Sequence, residues 1–137
     1  MGEASVQWIS GGRFVGIDST QHSVVMSTAE EGVGIKPSDM LLLALGACSA
    51  VDVVKILEKK RMALQALDIK VNGEQDAEAP WTFRKVHLAY VLCGKDLTEK
   101  AVQQAIELSE DGYCSVASTV RGIAEITHSY QIMEECE

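Results

Sequence analysis

Residues 36–62 read KPSDMLLLALGACSAVDVVKILEKKRM, and this stretch decides the fold because it joins length, apolar character and a reactive side chain. Pro37 suits the first turn of a helix, where its missing N–H goes unused. Ser38 and Asp39 supply capping or negative groups at the positive end of the helix dipole. From position 40 to 51 nearly every side chain is apolar or small, so no clear polar face forms and burial on most sides is expected. Charge returns with Asp52, Lys55 and the run Glu58-Lys59-Lys60-Arg61, which brings the C-terminal half of the helix to the surface.

Cys48 lies inside this helix, and its neighbours follow from geometry. At about 100° per residue, Asp52 and Lys55 fall within about 40° of the Cys48 direction, so one face presents a thiol, a carboxylate and an ammonium in order. A lysine beside a thiol favours the thiolate and an aspartate opposes it, which leaves the direction of the net shift open. Free cysteine is also among the most buried residue types and packs as a small hydrophobe. On these grounds Cys48 is either core filler or a nucleophile.

The chain has 137 residues, 47% of them hydrophobic, which sizes it as one domain over residues 1–137. A formal net charge of −8 argues against nucleic acid and against anionic membrane surfaces, since both need clustered Lys and Arg. The apolar run 40–51 is too short to span a bilayer, and the start MGEASVQW has no basic segment followed by a hydrophobic one, so a cytoplasmic protein is expected. Four cysteines in such a chain read as free, catalytic or redox-active rather than as a disulfide framework.

Before the helix, residues 5–9, 14–17 and 22–27 read as short strands, with Ser10-Gly11-Gly12 as a turn and residues 28–34 as a mobile surface loop. Arg13 stands on a strand edge beside the Gly-Gly turn, where an arginine is either simply solvated or functional. After the helix, residues 67–71 and 81–92 predict a hairpin across an acidic turn. Val86, Leu88, Tyr90 and Leu92 form one face of its second strand. Asp96 is expected to cap an amphipathic helix over residues 98–110, with Glu99 reaching back and Asp111-Gly112 ending it. Residues 123–132 alternate as a final strand. Strands, long helix, strand pair, helix and strand give an α+β class rather than a βαβ series.

Cys114 follows the second helix directly, while Cys93 at a strand end and Cys136 in the polar tail read as bystanders. A functional cysteine pair needs Cα atoms within about 7 Å, which a packed two-helix core could supply. His22, His87 and His128 are scattered without metal-ligand spacing, Gly11-Gly12 is too short for a phosphate loop, and no serine lies in a nucleophile elbow.

The run Pro37-Ser38-Asp39-Met40-Leu41-Leu42-Leu43-Ala44-Leu45-Gly46-Ala47-Cys48, followed by Asp52-Val53-Val54 and the basic run to Arg61, closely resembles the cysteine-helix motif of the OsmC/Ohr family of osmotically inducible and organic hydroperoxide resistance proteins. Tyr113-Cys114-Ser115-Val116 resembles its second motif. The resemblance covers nearly the whole chain and implies antiparallel strands around a long buried helix in an intertwined homodimer. It also implies a thiol-dependent peroxidase in which Cys48 attacks a hydroperoxide, organic ones preferred, and Cys114 resolves the resulting sulfenic acid as a disulfide. The implied reductant is an external dithiol, often lipoyl-type in the family, with no metal, haem or flavin. Family members pair the thiolate with an arginine and a glutamate. Here Ser38 stands at the glutamate position and Asp39 is the nearest carboxylate; about 180° from Cys48 on a straight helix, it could assist a thiolate only across the dimer interface that the resemblance implies. Arg13 matches the arginine roughly, Arg61 and Arg121 more weakly. The rival readings are a non-catalytic ligand-binding module and a redox sensor on the same fold.

Overall fold

A computed structural model describes residues 2–136. The chain divides into two compact units, Met1–Leu41 and Leu42–Glu137.

The first unit is an antiparallel meander of β1 (Ala4–Ser10), β2 (Arg13–Asp18) and β3 (Ser23–Ser27), in that spatial order. Gly11 takes a φ of 51° in the first turn, a left-handed conformation in which a Cβ is disfavoured. The second turn is closed by the Asp18 carboxylate, which accepts from the Thr20 and His22 backbone N–H groups at 3.0 and 2.9 Å. Those contacts, led by the His22 N–H, hold the Asp18 carboxyl below its ordinary pKa. The following loop, expected to be mobile, is fastened instead. The buried Ser27 hydroxyl accepts from the Val33 and Gly34 N–H groups at 3.2 and 3.0 Å, and Ile35 bridges to Met26.

The helix α1 (Pro37–Lys59) begins in this unit and continues in the second. Five of its 23 residues are buried: Leu45, Gly46, Ser49, Val53 and Leu57. Apart from Gly46 they recur every four positions, the stripe that one covering layer produces. Leu43 and Val51 stay 53% and 52% exposed, so a single chain does not bury the helix on most sides. By length and composition alone the whole of α1 could cross a membrane, although the apolar run 40–51 within it is too short to do so. Its Ser49 nonetheless engages the protein interior, as described below.

In the second unit, β4 (Ala63–Gln75) and β5 (Phe83–Lys95) form the expected hairpin with longer strands. Then come α2 (Glu99–Leu108), a π-helical turn (Ser109–Tyr113), α3 (Ser115–Val120) and β6 (Glu125–Met133). The sheet order is β4-β5-β6, and it is mixed: β6 runs parallel to β5, where antiparallel pairing was expected, because α2 and α3 carry the chain back across the sheet. The α+β class stands. Val86, Leu88, Tyr90 and Leu92 alternate inward along β5 and pack with Leu45, Val53 and Leu57 of α1 and Val102, Ala105 and Ile106 of α2. Fully burying each such Val or Leu contributes about 1.5–3 kcal/mol. The α2 cap is Thr98, whose hydroxyl accepts from the Ala101 N–H at 3.2 Å, rather than Asp96, which adopts a left-handed φ of 66° in the turn before it.

Candidate active site

The two cysteines that stand out in sequence meet in the second unit. Cys48 is half-buried on α1, and Cys114 is 2% exposed at the start of α3. A local irregularity places Cys114. Where the sequence predicts the end of a helix, residues 109–113 widen into a π turn, and the Cys114 N–H donates to the Ser109 carbonyl at 2.7 Å. Cys114 then leaves helical geometry and caps α3, its sulfur accepting from the Ala117 N–H at 3.3 Å.

Burial, reinforced by a hydrogen bond with Cys48, pushes the Cys114 thiol up to about 11. At neutral pH Cys114 is therefore a neutral thiol in the core cluster that Cys48 packs against, and Cys48 is the sulfur of the pair that a solute can reach. The native thiol ionises near 11 against an ordinary value of 9.0, so it stabilises the fold fully below about 9. That stability is lost as pH rises toward 11, because the unfolded thiol ionises first. The urea midpoint of the reduced protein is expected to fall across this window, and to fall less in Cys114→Ala. Equal slopes for the two proteins would contradict the assignment.

Beneath the thiols runs a buried polar network. The Ser49 hydroxyl, next in sequence to Cys48, bonds the Tyr90 hydroxyl of β5, which donates to Glu110 Oε1 at 3.1 Å. Glu110 is only 6% exposed, and its Oε2 accepts from His128 Nδ1 of β6 at 2.9 Å. Since a carboxylate without a proton only accepts, His128 carries its proton on Nδ1. The Ser109 hydroxyl lies 3.2 Å from Ser49 Oγ and donates to Asp52 Oδ2 at 3.0 Å. Arg121 donates to the Glu110 carbonyl at 2.7 Å. Desolvation, and after it the neighbouring Glu110, raise the Tyr90 pKa above its ordinary range, so the hydroxyl remains a donor. Ser49 sits beside one thiol and Ser109 and Glu110 in the turn that ends at the other, so the network fixes both segments.

Ser49, Tyr90, Ser109, Glu110 and His128 were not singled out from the sequence. One signal existed: a tyrosine on a core-facing strand position needs a buried partner for its hydroxyl. The helix face carrying Asp52 and Lys55 opens on a cavity of about 420 Å3, which Ile56, Leu108 and Tyr113 also line. Arg13 and Asp39 belong to the first unit. There Arg13 Nε donates to Glu31 Oε2 at 2.9 Å, and Asp39 lies 4.0 Å from Lys36 Nζ. Glu31 also accepts from the Gly12 N–H, and these two contacts lower its pKa, the Gly12 bond most. Among the described residues no group of three or more His, Cys, Asp or Glu could hold a metal ion. Cys93 and Cys136, expected as bystanders, are joined in a disulfide with Cα atoms 5.6 Å apart, because the tail after β6 turns back to the end of β5.

The sequence profile of the OsmC-like protein family matches residues 29–129. The protein YhfA of Escherichia coli K12 is 37% identical over 131 residues, covering 96% of this chain and 98% of YhfA. A crystal structure of a hypothetical protein from Aquifex aeolicus superimposes with a TM-score of 0.89 at 29% identity, covering 99% of this chain and 98% of the other. The organic hydroperoxide resistance protein OhrB of Bacillus subtilis superimposes with a TM-score of 0.64 at 14% identity, covering 96% and 98%, a likeness of fold.

Proposed function

This chain belongs to the OsmC-like protein family, and from that membership and its own thiol contact we propose that it is a cysteine-based peroxidase that reduces organic hydroperoxides in the cytoplasm. The observation that carries the reading is that Cys114 is buried in the core cluster against which the half-buried Cys48 packs. The Cys48 thiolate attacks the distal peroxide oxygen, the O–O bond breaks, and the alkoxide leaves as an alcohol after taking a proton, which gives a Cys48 sulfenic acid. Cys114 packs in the same core cluster. Its sulfur attacks Cys48, its proton goes to the departing hydroxide, and water and a disulfide result. An external dithiol, lipoyl-type in the family's manner, then reduces that disulfide without metal or organic cofactor. The apolar side chains of Ile56 and Leu108, in the cavity that Asp52, Lys55, Lys59 and Lys60 also line, suit an alkyl tail better than a bare peroxide.

Arg13 and Asp39 are kept in the proposal as groups that assist the thiolate. Their part rests on the family pattern alone, with Glu31 joining Arg13 as its carboxylate partner. The proposed assembly is a homodimer. Exposed Leu43 and Val51, and an apolar groove of about 320 Å3 lined by Leu43, Ala47, Ala50, Leu67 and Ile69, are surface that a second copy would cover.

The test treats fully reduced protein with one equivalent of cumene hydroperoxide, followed by non-reducing peptide mapping. The expected product is about two mass units lighter, with Cys48 joined to Cys114. Protein that leaves both thiols unmodified would overturn the peroxidase reading in favour of a binding module.

A further inference from the structure

Cys93 and Cys136 lie outside the chemistry above, and their surroundings differ sharply. Cys93 is 5% exposed near the end of β5, whereas Cys136 is exposed on the tail beyond Met133. Residues 134–136 form no strand or helix, and the bridge ties them to the sheet over a cavity of about 220 Å3 lined by Ala66, Asp68, Val91, Met133 and Glu135. Gln65 Oε1 lies 3.1 Å from the Cys136 sulfur, one more side chain beside the bridge. Glu134 and Glu135 precede Cys136 and Asp68 lines the same cavity, so an approaching reagent meets carboxylates.

We propose that Cys93 and Cys136 are a second, self-contained thiol–disulfide site, a reversible tether of the C-terminal tail that is opened by a dithiol without carboxylates in preference to a carboxylate-bearing thiol. A donor thiolate attacks Cys136, the exposed sulfur; the Cys93–Cys136 bond breaks, and Cys93 leaves as a thiolate that takes a proton. The donor's second thiol, as thiolate, attacks the mixed disulfide, Cys136 leaves and is protonated, and the donor departs as a cyclic disulfide. Two electrons pass from donor to protein. A small-molecule disulfide, reduced to two thiols, runs the reaction backward and recloses the tether. The acidic surroundings repel a carboxylate-bearing thiol such as glutathione, an effect that salt screens.

The test uses the wild-type oxidised protein, since peptide mapping separates this bridge from Cys48 and Cys114. Native protein is exposed to dithiothreitol or to glutathione at matched thiolate concentration, alkylated at intervals and mapped, and the tail is probed with a Glu-specific protease. Expected are paired alkylation of Cys93 and Cys136, tail cleavage that follows reduction, and a glutathione rate that rises about 2–10-fold in Glu134→Gln/Glu135→Gln or in high salt. The dithiothreitol rate should change less than the glutathione rate, because its attacking monothiolate carries one negative charge where the glutathione thiolate carries a net two. A bridge absent from the oxidised protein, or opened only after denaturation, would overturn the site. Glutathione rates indifferent to both salt and the Gln substitutions would overturn its selectivity.

Discussion

Cys48→Ser is expected to lower hydroperoxide consumption by at least about a thousandfold, a barrier increase of about 4 kcal/mol. A serine hydroxyl carries no thiolate at neutral pH and forms no sulfenic acid, so no step of the cycle survives. Cys114→Ser behaves differently. It keeps the attacking sulfur and loses the resolving one, so it should consume about one equivalent of peroxide and stop. The arrested protein should carry a Cys48 sulfenic acid that dimedone captures. Cys93→Ser is the control, because its partner is Cys136 and not either thiol of the site, and consumption should stay at the wild-type level. Peroxide assays of wild type, Cys48→Ser and Cys93→Ser under excess dithiol, and of pre-reduced Cys114→Ser with no added thiol, separate these outcomes. Sustained turnover by Cys48→Ser would remove this cysteine from the mechanism.

The second large effect falls on the network beneath the thiols. His128→Ala is expected to destabilise the fold by about 2–3 kcal/mol, because it strips the donor from one oxygen of a buried carboxylate. The value sits below that of a fully interior pair because the His128 side chain retains 25% exposure. Glu110→Gln in the same background removes the stranded charge, so the double variant should lose less than the sum of the two single ones, by about 1 kcal/mol. Urea unfolding of the four proteins gives the cycle. A cost under about 0.5 kcal/mol for His128→Ala would mean that water satisfies Glu110 as well as the imidazole does.

Much of this was legible in the chain because periodicity reports burial. The alternation of Val86, Leu88, Tyr90 and Leu92 identified the inward face of β5, and the apolar run with Pro37 at its start identified α1. The family resemblance, resting on the residues around Cys48 and Cys114, is matched by the profile over residues 29–129. Three features escaped for physical reasons. The π turn depends on an i to i+5 hydrogen bond that leaves no periodic mark, so Asp111-Gly112 read as an ordinary stop. The Tyr90–Glu110–His128 chain joins residues from β5, the π turn and β6, and strand register is not written locally. Cys93 and Cys136 looked idle because their meeting depends on where β6 ends beside β5.

The parallel placement of β6 has a kinetic side. Lys85 meets Glu125 at one end of the pairing and Cys93 meets Met133 at the other, so α2, the π turn and α3 lie wholly inside the loop that this pairing closes. Local events, the β4–β5 hairpin and the helices, need no such closure and form early, whereas a parallel crossover bears its loop entropy before any ladder bond rewards it. His128 arrives only with β6, and the Glu110 carboxylate stays unpartnered on that side until then. During synthesis the Cys48 thiol therefore emerges well before the strand that completes the frame beneath it, and the nascent chain passes through a stage with exposed cysteines and an unfinished sheet edge.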